Sequence, residues 1–199
     1  VNFQFQAGAC RVQMGFSCLA LLAFACQFAG DRCPDLLLAM LCHEGGHLLA
    51  LCAVGTAPRQ VTLSALGCRM SLPPGARLTG WQGMLVSLAG PGANLLCFLL
   101  CLLTGQASGA FAMGSLALGL LHLLPVEPLD GGLAMHRLLE GITRPSRAER
   151  VSRWVSAVCI LPLFVLGFTI LLRTRYNFTL LALSIYLMLY LVLGQDQTY

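Results

Sequence analysis

The chain has 199 residues, 57% of them hydrophobic and only 10% charged, with a formal net charge of +4. Soluble domains carry about 25% charged residues, so this composition excludes a soluble globular enzyme and a disordered chain. All 12 basic residues are arginines spread along the chain, which also excludes a nucleic-acid binder built on a basic patch.

Six apolar runs lie near 12–30, 36–55, 83–104, 109–126, 154–172 and 178–194. Each approaches the length a tilted helix needs to cross a hydrocarbon core about 30 Å thick. The expected fold is an all-α polytopic membrane protein with about six transmembrane helices, arranged as a single domain over 1–199. The first run follows Arg11 and has no small-residue cleavage site before Asp31-Arg32, so it reads as a retained span. The ten cysteines include no CxxC pair, and Cys18, Cys26, Cys42, Cys52, Cys97, Cys101 and Cys159 lie inside apolar runs. They are expected to pack as small hydrophobes, without a structural disulfide.

The segment from Arg59 to Trp81 differs in kind. Val61, Leu63 and Ala65 alternate with Thr62, Ser64 and Leu66, and Pro73-Pro74-Gly75 supplies a turn. This predicts a short β-hairpin, placed at the membrane interface or inside the protein because an open hairpin cannot face lipid. Nine of the twelve arginines fall on one side of the expected topology: Arg11, Arg59, Arg69, Arg77, Arg137, Arg144, Arg147, Arg150 and Arg153. Arg32, Arg173 and Arg175 fall on the other. That bias predicts an integral, multi-pass protein of the cell membrane with both termini in the cytoplasm.

The second run contains His43-Glu44-Gly45-Gly46-His47. Positions i and i+4 share a helix face, so the two imidazoles can bind one metal ion. Glu44 sits beside that face, where it can take a proton from an attacking water and return it to a leaving amine. Two histidines and a glutamate are costly inside a span, which argues for function over packing. A catalytic two-histidine site needs a third protein ligand. Asp31 and Asp35 fall toward the opposite membrane face, and Glu140 and Glu149 sit in an Arg-rich connection. Glu127 and Asp130 remain, in Pro125-Val126-Glu127-Pro128-Leu129-Asp130-Gly131-Gly132. Its prolines cannot continue a helix, and such broken structure at membrane depth must line a cavity.

These residues carry a resemblance. The His43–His47 motif, the Pro125–Gly132 segment and Gly90-Pro91-Gly92-Ala93-Asn94, in this order and spacing, resemble the site-2 protease family of intramembrane zinc metalloproteases. The likeness is nearest to the stage IV sporulation protein FB branch and covers nearly the whole chain. It implies one zinc ion held by His43, His47 and Asp130, with Glu44 as catalytic base and acid. It also implies cleavage of a transmembrane or membrane-associated protein substrate, and leaves room for an accessory membrane regulator. No counterpart of that branch's nucleotide-binding regulatory domain is expected. Asp130 is preferred to Glu127 because Gly131 and Gly132 relieve crowding beside it, whereas Glu127 lies between two prolines.

His122 stands where the branch carries an asparagine. It is expected to act as a clamp on an extended substrate backbone, with a role beside the zinc as the alternative. Asn94 reads either as a substrate contact or as a helix-packing amide. Pro91 between glycines predicts a kink, and His136 beside Arg137 predicts interfacial exposure. Val61 and Leu63 are expected to offer a strand edge to substrate by β-strand addition. The chief rival is a metal-ion transporter using His43, Glu44, His47 and Asp130 as a transit site, but no internal repeat accompanies it. A haem protein is disfavoured because two ligands at i and i+4 point the same way. A CAAX-type protease is disfavoured because no second-helix ExxxD or ExxxH pattern exists.

Overall fold

The computed structural model describes residues 2–7, 10–64 and 67–193. Ala65 and Leu66 of the predicted alternation, and residue 194 at the end of the predicted sixth run, lie outside the described residues. Two compact units form: Val1–Leu78 with Ala89–Gly119, and Thr79–Leu88 with Leu120–Tyr199.

The first unit opens with β1 (Asn2–Ala7) and β2 (Cys10–Gly15), continues through α1 (Phe16–Ala29) and α2 (Cys33–Ala53), and returns as β3 (Gln60–Ser64) and β4 (Gly67–Ser71). The four strands make one sheet in the order β1-β2-β3-β4. A hairpin does form in this segment, but with other bounds than expected: β3 pairs antiparallel with β4, Val61 with Met70 and Leu63 with Cys68, so the second strand precedes Pro73-Pro74-Gly75 instead of following it. A second hairpin, β1–β2, joins it through a parallel pairing of Val12 with Val61 and Met14 with Leu63. Period-two alternation makes the sheet two-faced. Phe3, Phe5, Val12, Met14, Val61, Leu63, Cys68 and Met70 share one face; Gln4, Gln6, Arg11, Gln13, Gln60, Thr62 and Arg69 share the other. Gln60 hydrogen-bonds Gln13 at 3.0 Å on the polar face.

Two expectations need correction here. Residues 12–15, counted in the first apolar run, belong to β2, and the helix starts only at Phe16. The cause is that β2 alternates apolar and polar residues and finds a partner in β3. β3 is also an interior strand, paired on both sides, so it offers no free edge for strand addition.

Gly30 closes α1 with φ +54, its N–H bonding the Cys26 carbonyl. A 3₁₀ turn over Gly30–Arg32 then leads into α2, whose first turn carries Pro34. This corner brings the Cα atoms of Cys26 and Cys33 to 5.1 Å, and a disulfide joins them. The reading of every cysteine as a packing residue is corrected accordingly.

α3 (Gly80–Leu103) runs through Pro91, and α4 (Ala110–His122) follows; both helices pass from one unit to the other. The second unit contains the 123–129 loop, α5 (Asp130–Ile142), α6 (Pro145–Thr174) and α7 (Thr179–Leu193). α5 occupies what the sequence suggested was an Arg-rich connection. α6 and α7 form a tight hairpin whose turn holds Arg175 at φ +64. A Cβ on Gly167 would meet the Leu181 backbone nitrogen at 2.7 Å, so the glycine sets their approach. Val126 and Leu129 of the loop pack with Ile160 and Leu187 into the core of this unit. Ser152, Ser156 and Ser184 are also fully buried there.

Among the described residues, three helical stretches are long and apolar enough to cross a membrane: Gly30–Ala53, Gly80–Leu103 and Pro145–Thr174. Apolar α4 and α7, with 13 and 15 residues, are shorter. At a rise of about 1.5 Å per residue they are roughly 20–23 Å long, short of a hydrocarbon core about 30 Å thick.

Candidate metal centre

On α2, His43 and His47 stand one turn apart with ring centroids 4.9 Å apart and planes at 78°. Their Nε2 atoms approach to 3.3 Å. Tetrahedral zinc with Zn–N bonds of about 2.0–2.1 Å places two nitrogens about 3.3–3.4 Å apart. The imidazoles are therefore already spaced as two ligands of one such ion. The same convergence removes the haem reading, because both nitrogens aim at a single point.

α3 shapes this pair through the glycine-proline motif. A Cβ on Gly46 would meet the Cβ of Ala93 at 2.8 Å, so α2 and this part of α3 touch backbone to backbone. A Cβ on Gly90 would collide with His47, reaching Cε1 at 2.6 Å and Cδ2 at 2.7 Å. Gly90 is thus a cradle for the ring, a role that the sequence alone did not disclose. Asn94 is fully buried, with its amide 3.3 Å from His43 Nδ1. A histidine that offers Nε2 to a metal carries its proton on Nδ1 and needs an acceptor there. The carboxamide oxygen of Asn94 supplies one when that end of the amide faces the ring, and Oδ1 has no other partner among the described residues. Of the two roles expected for Asn94, helix-to-helix hydrogen bonding is the one its burial and contact match.

Glu44, beside His43, lies near the Cys68 thiol of β4. Burial, reinforced by the nearby carboxylate, pushes the Cys68 thiol up, which keeps it a protonated donor. Val61 and Leu63 share the sheet face of Cys68 and so line the side of β3 from which Glu44 is touched.

In the second unit Asp130 is the first residue of α5, where the helix dipole favours a carboxylate. His122, at the end of α4, places Nδ1 2.6 Å from Asp130 Oδ2. A Cβ on Gly131 would strike the Leu124 carbonyl at 2.6 Å, so only glycine lets the loop fold onto the start of α5. His136 was expected to be exposed at the interface. It is instead half-buried between two acids, with Nδ1 3.1 Å from Glu127 and Nε2 3.3 Å from Glu140. Arg137, its neighbour, packs its side chain against Gly83 of α3.

No family model matches the chain. In fold it is similar to the Site-2 Protease from Methanocaldococcus jannaschii, with a TM-score of 0.66 and 14% identity, covering 97% of this chain and 94% of that one. It is also 35% identical over 115 residues to a Synechocystis sp. protein named "Putative zinc metalloprotease". That match covers 53% of this chain and 30% of the relative's length. The chain is thus a membrane protein with the site-2 protease fold and a zinc metalloprotease relative.

Proposed function

We propose that the chain is an intramembrane zinc endopeptidase of the site-2 protease family, nearest to the sporulation protein FB branch, acting on a transmembrane or membrane-associated protein. The observation that carries the reading is the pair of Nε2 atoms at 3.3 Å, next to a glutamate and cradled by Gly90. His43 and His47 of the first unit and Asp130 of the second are the residues that would hold one zinc per chain, an assignment supported by the chemistry of a two-histidine, one-carboxylate donor set. Bound there, zinc would polarise the scissile carbonyl and make water a stronger nucleophile near neutral pH. Glu44 takes the proton from the attacking water and passes it to the departing amine. Asn94 keeps His43 in the tautomer that frees Nε2, and His122 orients the Asp130 carboxylate, a role supported by their 2.6 Å contact. Val61 and Leu63 offer side chains to an unwound substrate, with main-chain pairing left to the outer strand β4.

In this reading both units belong to one catalytic domain with six membrane-embedded helices and cytoplasmic termini. An accessory membrane regulator fits the same scheme. The transporter alternative is not favoured, since the likenesses are to a protease fold and to a named metalloprotease. The test is cleavage of a membrane-embedded reporter in vesicles by the parent, by Glu44→Gln and by chelator-treated protein. Cleavage is expected from the parent alone. Equal cleavage by all three would refute the mechanism, and zinc uptake without cleavage would restore the transporter.

A further inference from the structure

Glu127, the acid passed over as a ligand, is the most firmly held residue of the 123–129 loop. Its Oε1 accepts a hydrogen bond from Ser152 Oγ at 2.6 Å and lies 3.1 Å from His136 Nδ1, a charge contact without hydrogen-bond geometry. Its backbone N–H donates to Ser156 Oγ at 3.0 Å. Ser152 and Ser156 are one turn apart on α6 and fully buried, while His136 belongs to α5. One loop residue is therefore gripped from two helices. On either side of it, Val126 and Leu129 are sunk in the core of the unit. The Leu129 N–H bonds the Val126 carbonyl at 2.7 Å, and the Leu133 N–H bonds the Leu129 carbonyl at 3.0 Å. A Cβ on Gly132 would strike the Val126 and Glu127 backbone. The chain from Glu127 to Asp130 thus has little slack between its anchor and the start of α5.

We propose that Glu127 is a positioning residue: clasped by Ser152 and His136, it fixes the loop so that the Asp130 carboxylate is held where a metal ion needs it. The inference rests on the reading of Asp130 as a zinc ligand. The relevant property of Glu127 is an acceptor oxygen at the right place, more than its charge. A glutamine keeps that oxygen for the Ser152 hydroxyl, whereas leucine matches the volume and removes it. Residues that orient a metal ligand typically contribute 10–100-fold to metal affinity.

The experiment measures zinc affinity of the purified full chain in detergent by competition with a chromophoric chelator, alongside thermal melting of the zinc-free protein. Glu127→Leu should bind zinc about 10–100-fold more weakly, and cleavage should return as zinc is raised. Glu127→Gln should stay within about threefold of the parent. If Glu127→Leu does not fold, Ser152→Ala and His136→Leu carry the test, each expected to weaken zinc binding severalfold in folded protein. Parent-like affinity in folded Glu127→Leu, or in both single-contact variants, overturns the proposal. So does a glutamine variant as impaired as the leucine one. Asp130→Asn separates the two levels. If it binds zinc like the parent, the ligand assignment fails; if it alone weakens binding, only the anchor fails.

Discussion

Gly90→Ala tests the cradle around His47 with a single methyl group. The added carbon would lie 2.6 Å from Cε1 and 2.7 Å from Cδ2 of the ring, against an ordinary carbon–carbon contact of about 3.5–4.0 Å. Relief needs a displacement of about 1 Å, while metal–ligand distances tolerate only about 0.2 Å. If the ring moves, one of three protein ligands is lost, and zinc affinity should fall by more than the roughly 100-fold upper range for a mere orienting residue. If α3 moves instead, overpacking costs about 1–3 kcal/mol. Gly92→Ala, two residues on, is the matched control: a Cβ there meets nothing within 4 Å. It should gain up to about 1 kcal/mol from helix propensity. Zinc competition, thermal melts and reporter cleavage on the two variants give opposite signs if the argument holds. A Gly90→Ala protein with parent-like zinc affinity and parent-like cleavage would show that the ring is not seated against α3 as described.

Glu44→Gln should lower cleavage by about 10²–10⁴-fold while zinc content, measured by mass spectrometry, stays at the parent level. Asp130→Asn should weaken zinc binding and lower cleavage together, and normal zinc retention would remove Asp130 from the ligand set. His122→Ala should reduce zinc affinity by about 10–100-fold through the loss of its contact with Asp130. A parent-like affinity, with loss confined to substrate turnover, would return His122 to the role of substrate clamp. Thr62→Pro falls in an interior strand paired with β2 and β4. It should therefore lower the melting temperature as a ladder break, and a variant of full stability with only a substrate defect would contradict the sheet order.

Local periodicity exposed part of this structure and hid the rest for identifiable reasons. The α2 motif was legible because His43 and His47 share one helix and need no distant partner. β3 was legible from the alternation over Val61–Ser64, whereas β4 was not, because Pro73-Pro74-Gly75, read as the hairpin turn, lies beyond it. The β1–β2 hairpin was missed although Phe3, Phe5, Val12 and Met14 alternate, because β2 runs directly into an apolar helix and blends with it. The parallel pairing of β2 and β3 joins residues 49 apart, such as Val12 and Val61, and no local pattern reports that. Similarly, α5 was taken for a connection because Asp130, His136, Arg137 and Glu140 diluted an apolar spacing already too short to span.

The same division runs through the site. Gly90 was read through its neighbour Pro91 as part of a kink, but its importance comes from the side chain it leaves room for, 43 positions earlier. Asn94 and His122 were recognised as unusual polar residues in apolar runs, yet their partners, His43 and Asp130, became identifiable only with helix positions in hand. Glu127 was weighed as a metal ligand and set aside, with no role left for it. A signal did exist: Ser152 and Ser156 are small hydroxyl residues at i and i+4 in the same helix. Both lie on its buried side, where an unpaired hydroxyl would be costly. Such a pair predicts a polar guest from elsewhere in the chain. The acid that fills the vacancy is the one whose two flanking prolines had ruled it out as a ligand, because rigid flanks that hinder coordination are well suited to holding a loop in place.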